Sequence, residues 1–217
     1  MPFDVVFLID VDNTLLHNDV VMDDFREHLA GAFGEREKRY WDIFEELSGT
    51  LGYADYLGAL QRLRLEQPDD PAVLHASLFL LRYPFAERLY PGALRVIEEL
   101  RRRGPVVIMT DGDVVYQPNK VERSGLWGAV EGDVLVYVHK ELMLEDVERR
   151  YPSRRYVLVE DKIRILAAVK TAWGDRVTTV FVKQGRYAHD PVILAEYPAA
   201  DISIERIADL SEALADI

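Results

Sequence analysis

The 217-residue chain is predicted to fold as an α/β protein, a parallel sheet covered on both faces by helices, with a small all-helical unit inserted after the first strand. Three observations lead there. Val5-Val6-Phe7-Leu8-Ile9 is an unbroken apolar run rich in β-branched residues, the pattern of a strand buried on both faces. Further runs of the same kind recur with helical patterns between them, which is the alternation that builds parallel sheets through right-handed crossovers. Residues 17–87, between the first and second runs, carry helical periodicity and no strand pattern.

The first strand ends where polarity begins, at Asp10-Val11-Asp12-Asn13-Thr14. Ligands of open α/β sheets bind at the carboxyl ends of strands, so both acids face the crevice region. Two anions this close need a cation, a shared proton or a hydrogen-bond network. A hard divalent ion such as Mg²⁺ meets that need with oxygen ligands and retained waters. The alternative is an acidic strand-to-helix turn in which Asp12 or Thr14 caps the following helix.

In residues 17–87, Phe25, Leu29 and Phe33 form one apolar stripe, and Tyr40, Phe44 and Leu47 a second. Tyr53, Tyr56, Leu57, Leu60 and Leu63 form a third, and Val73 to Leu81 a fourth. Gly49, Gly52 and Gln67-Pro68-Asp69-Asp70-Pro71 punctuate them. The aromatics are expected to be the core of the inserted unit, and the core domain to comprise residues 1–16 and 88–217. Leu94, Ile97 and Leu100 then mark a helix from Ala93 to Arg103 that stops at Gly104. Val106 to Met109 is the second strand, Val114 to Gly125 a helix, and Val134 to Val138 the third strand. Tyr156 to Val159 and Val177 to Val182 are the fourth and fifth, and Ile207, Leu210 and Leu214 predict a last covering helix.

Composition bounds the function. With 49% apolar and 29% charged residues the chain has the balance of a soluble globular protein. A formal charge of −12 argues against nucleic acid or an anionic membrane as the main partner. Without cysteine there is neither a disulfide framework nor a thiolate site. The start lacks a basic segment and the first apolar run ends at Asp10, so a cytoplasmic location is expected. His17, His28, His75, His139 and His189 have no close spacing, which speaks against a zinc site.

Successive strand ends carry Asp10 and Asp12, then Thr110-Asp111, then Lys140, then Glu160-Asp161. The set suffices for phosphoryl transfer: a nucleophilic carboxylate, a second carboxyl for protons, a hydroxyl and an ammonium for phosphoryl oxygens, and acids for a metal. No P-loop and no G-x-G-x-x-G element is present.

These residues, in this order, resemble the motifs of the haloacid dehalogenase-like (HAD) hydrolases: Asp10-Val11-Asp12-Asn13-Thr14 the first, Thr110 the second, Lys140 the third and Glu160-Asp161 the acidic fourth. Glu141 stands where many relatives have proline, and Glu160-Asp161-Lys162 is one of several acidic variants. The resemblance implies a three-layer αβα Rossmann-like core of sheet order 5-4-1-2-3, with the inserted helices as a C1 cap. It implies that Asp10 is the nucleophile forming an aspartyl-phosphate, and that Asp12 is the acid and base. Lys140 would hold nucleophile and phosphate, with Thr110 and the Asp111 N–H binding phosphate oxygens. Mg²⁺ would be held by Asp10, the Asp12 carbonyl, Asp161 and Glu160.

Dehalogenases of the family resemble this pattern without the second acid, so Asp12 points to small phosphate esters. Phosphonate hydrolysis in the family looks to a cap lysine, and here the cap has only Lys38. His17, Arg26, Tyr53, Tyr56, Arg62 and Arg64 are candidate specificity residues of the cap. A phosphosugar mutase is a rival reading. So are a receiver-like signalling module, whose acid pair precedes its acceptor, and a silent binding protein on the same fold. The assembly is expected to be a monomer or a homodimer.

Overall fold

A computed structural model describes residues 2–66 and 68–215; Met1, Gln67, Asp216 and Ile217 lie outside the described residues. Its strands are β1 (Phe3–Ile9), β2 (Val106–Asp111), β3 (Val134–Tyr137), β4 (Ser153–Glu160), β5 (Val177–Val182) and β6 (Ile202–Ile204). They form one sheet of order β3-β2-β1-β4-β5-β6, parallel throughout. The five predicted strands thus take the expected 5-4-1-2-3 order. The sixth was not predicted: Ser203 interrupts its apolar pattern, and pairing with β5 creates it.

The helices are α1 (Asn18–Phe33), α2 (Glu37–Leu51), α3 (Tyr56–Glu66), α4 (Pro71–Arg82), α5 (Ala93–Arg101), α6 (Tyr116–Arg123), α7 (Leu126–Ala129), α8 (Leu144–Arg150), α9 (Ile163–Trp173), α10 (Pro191–Glu196) and α11 (Leu210–Ala213). β1 is buried on both faces, as its sequence requires. Val5, Phe7 and Ile9 join a core that contains Val96, Ile97 and Leu100 of α5. Val6 and Leu8 join a second core with Leu166, Val169 and Trp173 of α9. Predicted and observed ends differ by a few residues, most visibly at α6, where Val114 and Val115 precede the helix and are exposed.

Helices α1 to α4 follow β1 in the chain, before α5 leads into β2. Their stripes close around Phe25, whose ring contacts Tyr40, Trp41, Tyr56 and Phe79 at centroid distances of 5.7, 6.2, 6.4 and 5.9 Å. α4 starts sharply because the Asp70 carboxylate accepts from the Ala72 N–H at 2.9 Å and Pro71 has no N–H to satisfy. The chain leaves and re-enters the sheet region side by side: the His17 N–H donates to the Arg88 carbonyl at 2.8 Å and the Tyr90 N–H to the Leu15 carbonyl at 2.9 Å. Neither Asp12 nor Thr14 caps α1, which begins at Asn18, so the capping alternative for the acid pair falls.

Candidate active site

Parallel strands put their carboxyl ends on one edge, and the residues singled out there converge. Asp10 follows β1 and is buried; Lys140 opens a short turn after β3 and is 1% exposed. The Lys140 ammonium donates to Asp10 Oδ1 at 2.5 Å and to the Met109 carbonyl at 3.1 Å, and it ion-pairs with Glu160 at the end of β4. The Lys140 N–H donates to Asp111 Oδ1 at 2.7 Å, tying the β2 end to the same turn. Glu141 pairs with Arg164 at 2.6 Å.

Asp10, Glu160 and Asp161 present carboxylate oxygens within 4.8 Å of one another, all three side chains buried. Among the described residues neither Asp161 oxygen accepts from an N–H or hydroxyl donor. A buried carboxylate without donors is costly, and it either takes a proton or requires a cation. Burial, then the Glu160 charge, pushes Asp10 up to about 7 against the pull of Lys140. The same two causes hold Asp161 well above the usual carboxylate range. Glu160 is lowered: burial works against ionisation, but Lys140 and Lys162 outweigh it. Burial alone would depress Lys140, yet Asp10, Glu160 and Asp111 hold its ammonium above the ordinary lysine range. An all-oxygen donor set with surplus negative charge fits a hard divalent cation.

The Asp12 side chain lies outside that trio. Lys120 Nζ, on α6, donates to Asp12 Oδ1 at 2.7 Å and Oδ2 at 2.9 Å. Gln117 Nε2 reaches Asp12 Oδ2 at 3.3 Å and donates to Thr110 Oγ1 at 2.8 Å. The Thr110 oxygen, expected to serve a phosphate, is thus already an acceptor for Gln117. Sequence reading missed Lys120 and Gln117. Their signal is faint: two polar residues three apart on one face of a short helix.

Above the strand ends, between them and α1 and α2, lies a cavity of about 510 Å³. Asp12, Asp111, Lys162, Arg164 and Arg186 line it from the sheet side, and Arg26, Phe44, Tyr53 and Tyr56 from the inserted unit. Arg186 pairs with Asp23 of α1, and its N–H donates to Asp19 at 2.7 Å. Gly52 (φ +78°) sits so close to His139 that a Cβ would meet its ring at 2.6 Å. Gly185 (φ +73°) likewise leaves room for Asn13. Of the six candidate specificity residues, Arg26, Tyr53 and Tyr56 reach the cavity, Tyr53 from the α2–α3 loop rather than a helix. His17 instead stacks on Tyr90, Arg62 pairs outside with Glu46, and Arg64 lines a separate groove between α3 and α4. Lys38 pairs with Asp42 at the surface.

A doubly covered parallel sheet with a lysine-gripped carboxylate and a buried acidic trio at its strand ends is a Rossmann-like architecture with its candidate site where such sheets bind ligands. The chain belongs to the haloacid dehalogenase-like hydrolases, whose family model matches residues 5–173. It is 60% identical to a haloacid dehalogenase-like hydrolase structure from Burkholderia xenovorans LB400, covering 97% of this chain and 99% of that one with a TM-score of 0.93. The magnesium-bound HAD-hydrolase YfnB of Bacillus subtilis shares the fold at 17% identity, TM-score 0.65 and full coverage of both chains. The L-2-haloacid dehalogenase of Xanthobacter autotrophicus shares it at 15% identity, TM-score 0.63 and 99% coverage of each chain. Among curated proteins the chain finds no match. No helix among the described residues is long and apolar enough to cross a membrane.

Proposed function

We propose that the chain is a Mg²⁺-dependent phosphomonoester hydrolase for a small phosphorylated metabolite, working through an aspartyl-phosphate on Asp10 with helices α1 to α4 as a C1-type cap. The observation that carries this reading is Asp12. A carboxyl two residues beyond the nucleophile, held at the cavity wall by Lys120 and Gln117, is placed to protonate a leaving group. A phosphate ester expels an alkoxide, which does; a haloacid expels halide, which does not.

In this reading Asp10 attacks the phosphorus, the P–O bond to the alcohol breaks, and Asp12 delivers a proton to the departing oxygen. Asp12 then takes a proton from the water that hydrolyses the aspartyl-phosphate, restoring both carboxyls. General acid–base transfer of this kind contributes about 10² to 10⁴ in rate. Lys140 holds Asp10 in place and offsets charge on the phosphoryl oxygens, with the Asp111 N–H as a further donor. Mg²⁺, held by Asp10, Glu160 and Asp161, would supply charge neutralisation for the phosphoryl group.

The test is phosphate release from a panel of small phosphomonoesters, with and without Mg²⁺, for the native protein and Asp10→Asn, alongside halide release from 2-haloacids. Metal-dependent phosphate release lost in the variant is expected. Halide release, or no phosphate release from any ester, would overturn the reading.

A further inference from the structure

We propose that Lys120 is a positioning residue for Asp12, and that it ties this proton-transfer group to the first turn of α1 through Asn18. The proposal rests on the phosphomonoesterase reading and goes beyond it, since no motif of the chain contains Lys120.

The geometry is specific. Lys120 Nζ contacts both Asp12 oxygens, at 2.7 and 2.9 Å, and Asn18 Oδ1 at 3.0 Å. Two contacts from one ammonium, with Gln117 on Oδ2, leave the carboxylate little freedom to rotate. Lys120 itself is 1% exposed and lies 4.9 Å from the Tyr116 ring centroid. Asp12, Asn18 and Gln117 line the cavity, and Lys120 does not. It therefore acts through Asp12 rather than on a substrate.

The energetics favour a functional reason. Burying an ammonium and its partner seldom stabilises a fold more than an apolar residue of the same volume would. Such a pair earns its place when a reacting group has to be held within a few tenths of an ångström of its working position. Asn18 adds a second consequence. It is the first residue of α1, so any displacement of the inserted helices from the strand ends pulls on the group that orients Asp12.

The experiment compares kcat/KM on two esters, p-nitrophenyl phosphate and the best alkyl phosphate of the panel, for native protein and Lys120→Met. Nitrophenolate departs without a proton, whereas an alkoxide requires one, and kcat/KM reports only the steps through that departure, so in kcat/KM a residue that orients the acid matters for the second ester only. Lys120→Met is expected to lose about 10²-fold on the alkyl ester. On p-nitrophenyl phosphate it should lose less than about a tenth of that factor. Lys120→Arg, which keeps the donors, should recover part of the alkyl-ester rate, and Asn18→Ala should show the same ester bias more weakly. Equal losses on both esters, or none, would overturn the proposal while leaving the phosphatase reading intact. If the native protein releases phosphate from neither ester, the phosphatase reading falls and this role falls with it. If Lys120→Met does not fold, the ester bias of Lys120→Arg and Asn18→Ala decides, and its absence in both overturns the proposal.

Discussion

Lys140 and Lys120 are equally buried, and each grips one carboxylate of the same Asp-x-Asp pair, yet their surroundings are opposite. Around Lys140 stand Asp10, Glu160 and Asp111, with Asp161 beside them, so acids outnumber ammonium groups even when Lys162 is included. Around Lys120 stand one carboxylate and the neutral Asn18. The first region carries surplus negative charge, and its oxygen donors would suit a cation. The second pairs one ammonium with one carboxylate. In the proposed reading these two acids, separated by a single residue, do different work, one in covalent attack beside a metal and the other in proton transfer.

The sharpest way to break this contrast is to remove each acid in turn. Asp10→Asn should abolish turnover, by about 10⁴-fold or more. It should leave the unfolding free energy in urea unchanged or raised, because Lys140 keeps Glu160 and one surplus charge is gone. Asp12→Ala should slow turnover by about 10² to 10⁴ and also cost about 3 kcal/mol of stability, because Lys120 is left buried with Asn18 alone. If urea titrations gave the reverse order of stabilities, the contrast between a surplus and a balanced site would be wrong.

Asp161→Asn sharpens the metal side. In metal-free buffer at neutral pH the variant should melt about 3 °C above the native protein, the shift roughly 1 kcal/mol produces in a chain of this size. Mg²⁺ should raise the native midpoint and leave the variant's unmoved. The pH dependence has a definite sign. Asp10 takes up its proton at about 7 in the fold against 3.8 unfolded, so the folded state holds protons more tightly in that window. The stability this provides is fully present below 3.8 and is lost as pH rises through about 7. Differential scanning calorimetry of the metal-free protein should show that decline, and added Mg²⁺ should flatten it.

The smallest effect lies far from both lysines. Asp70→Ala should cost about 1 kcal/mol through loss of the α4 cap. The Ala72 N–H, then Arg36, lowers the Asp70 carboxyl, so its contribution is present above 3.8 and disappears as pH falls through the lower folded value. Native and variant denaturation curves should converge in acid. A cap that stayed as valuable there would mean the charge is not what α4 uses.

Much of this architecture was legible in the chain. Val5 to Ile9 and the four later runs declare buried strands because length and residue type are local properties, and the polar residues that end them mark the crevice. Asp10, Lys140, Glu160 and Asp161 could be named for the same reason: each stands where an apolar run stops. The aromatic stripes of α1 to α4 likewise identified a helical core around Phe25.

Tertiary structure alone decided what depends on the partner across a gap. β6 exists because β5 offers it an edge, and its three residues with Ser203 in the middle have no strand signal of their own. Periodicity tells which residues of α1 and α3 share a face but not what that face meets. Arg26 and Tyr56 therefore reached the cavity while Arg62 and Arg64 did not. A lysine on a short helix reads as solvated until folding sets it beside Asp12, more than a hundred positions away in the chain, where burial makes its charge count.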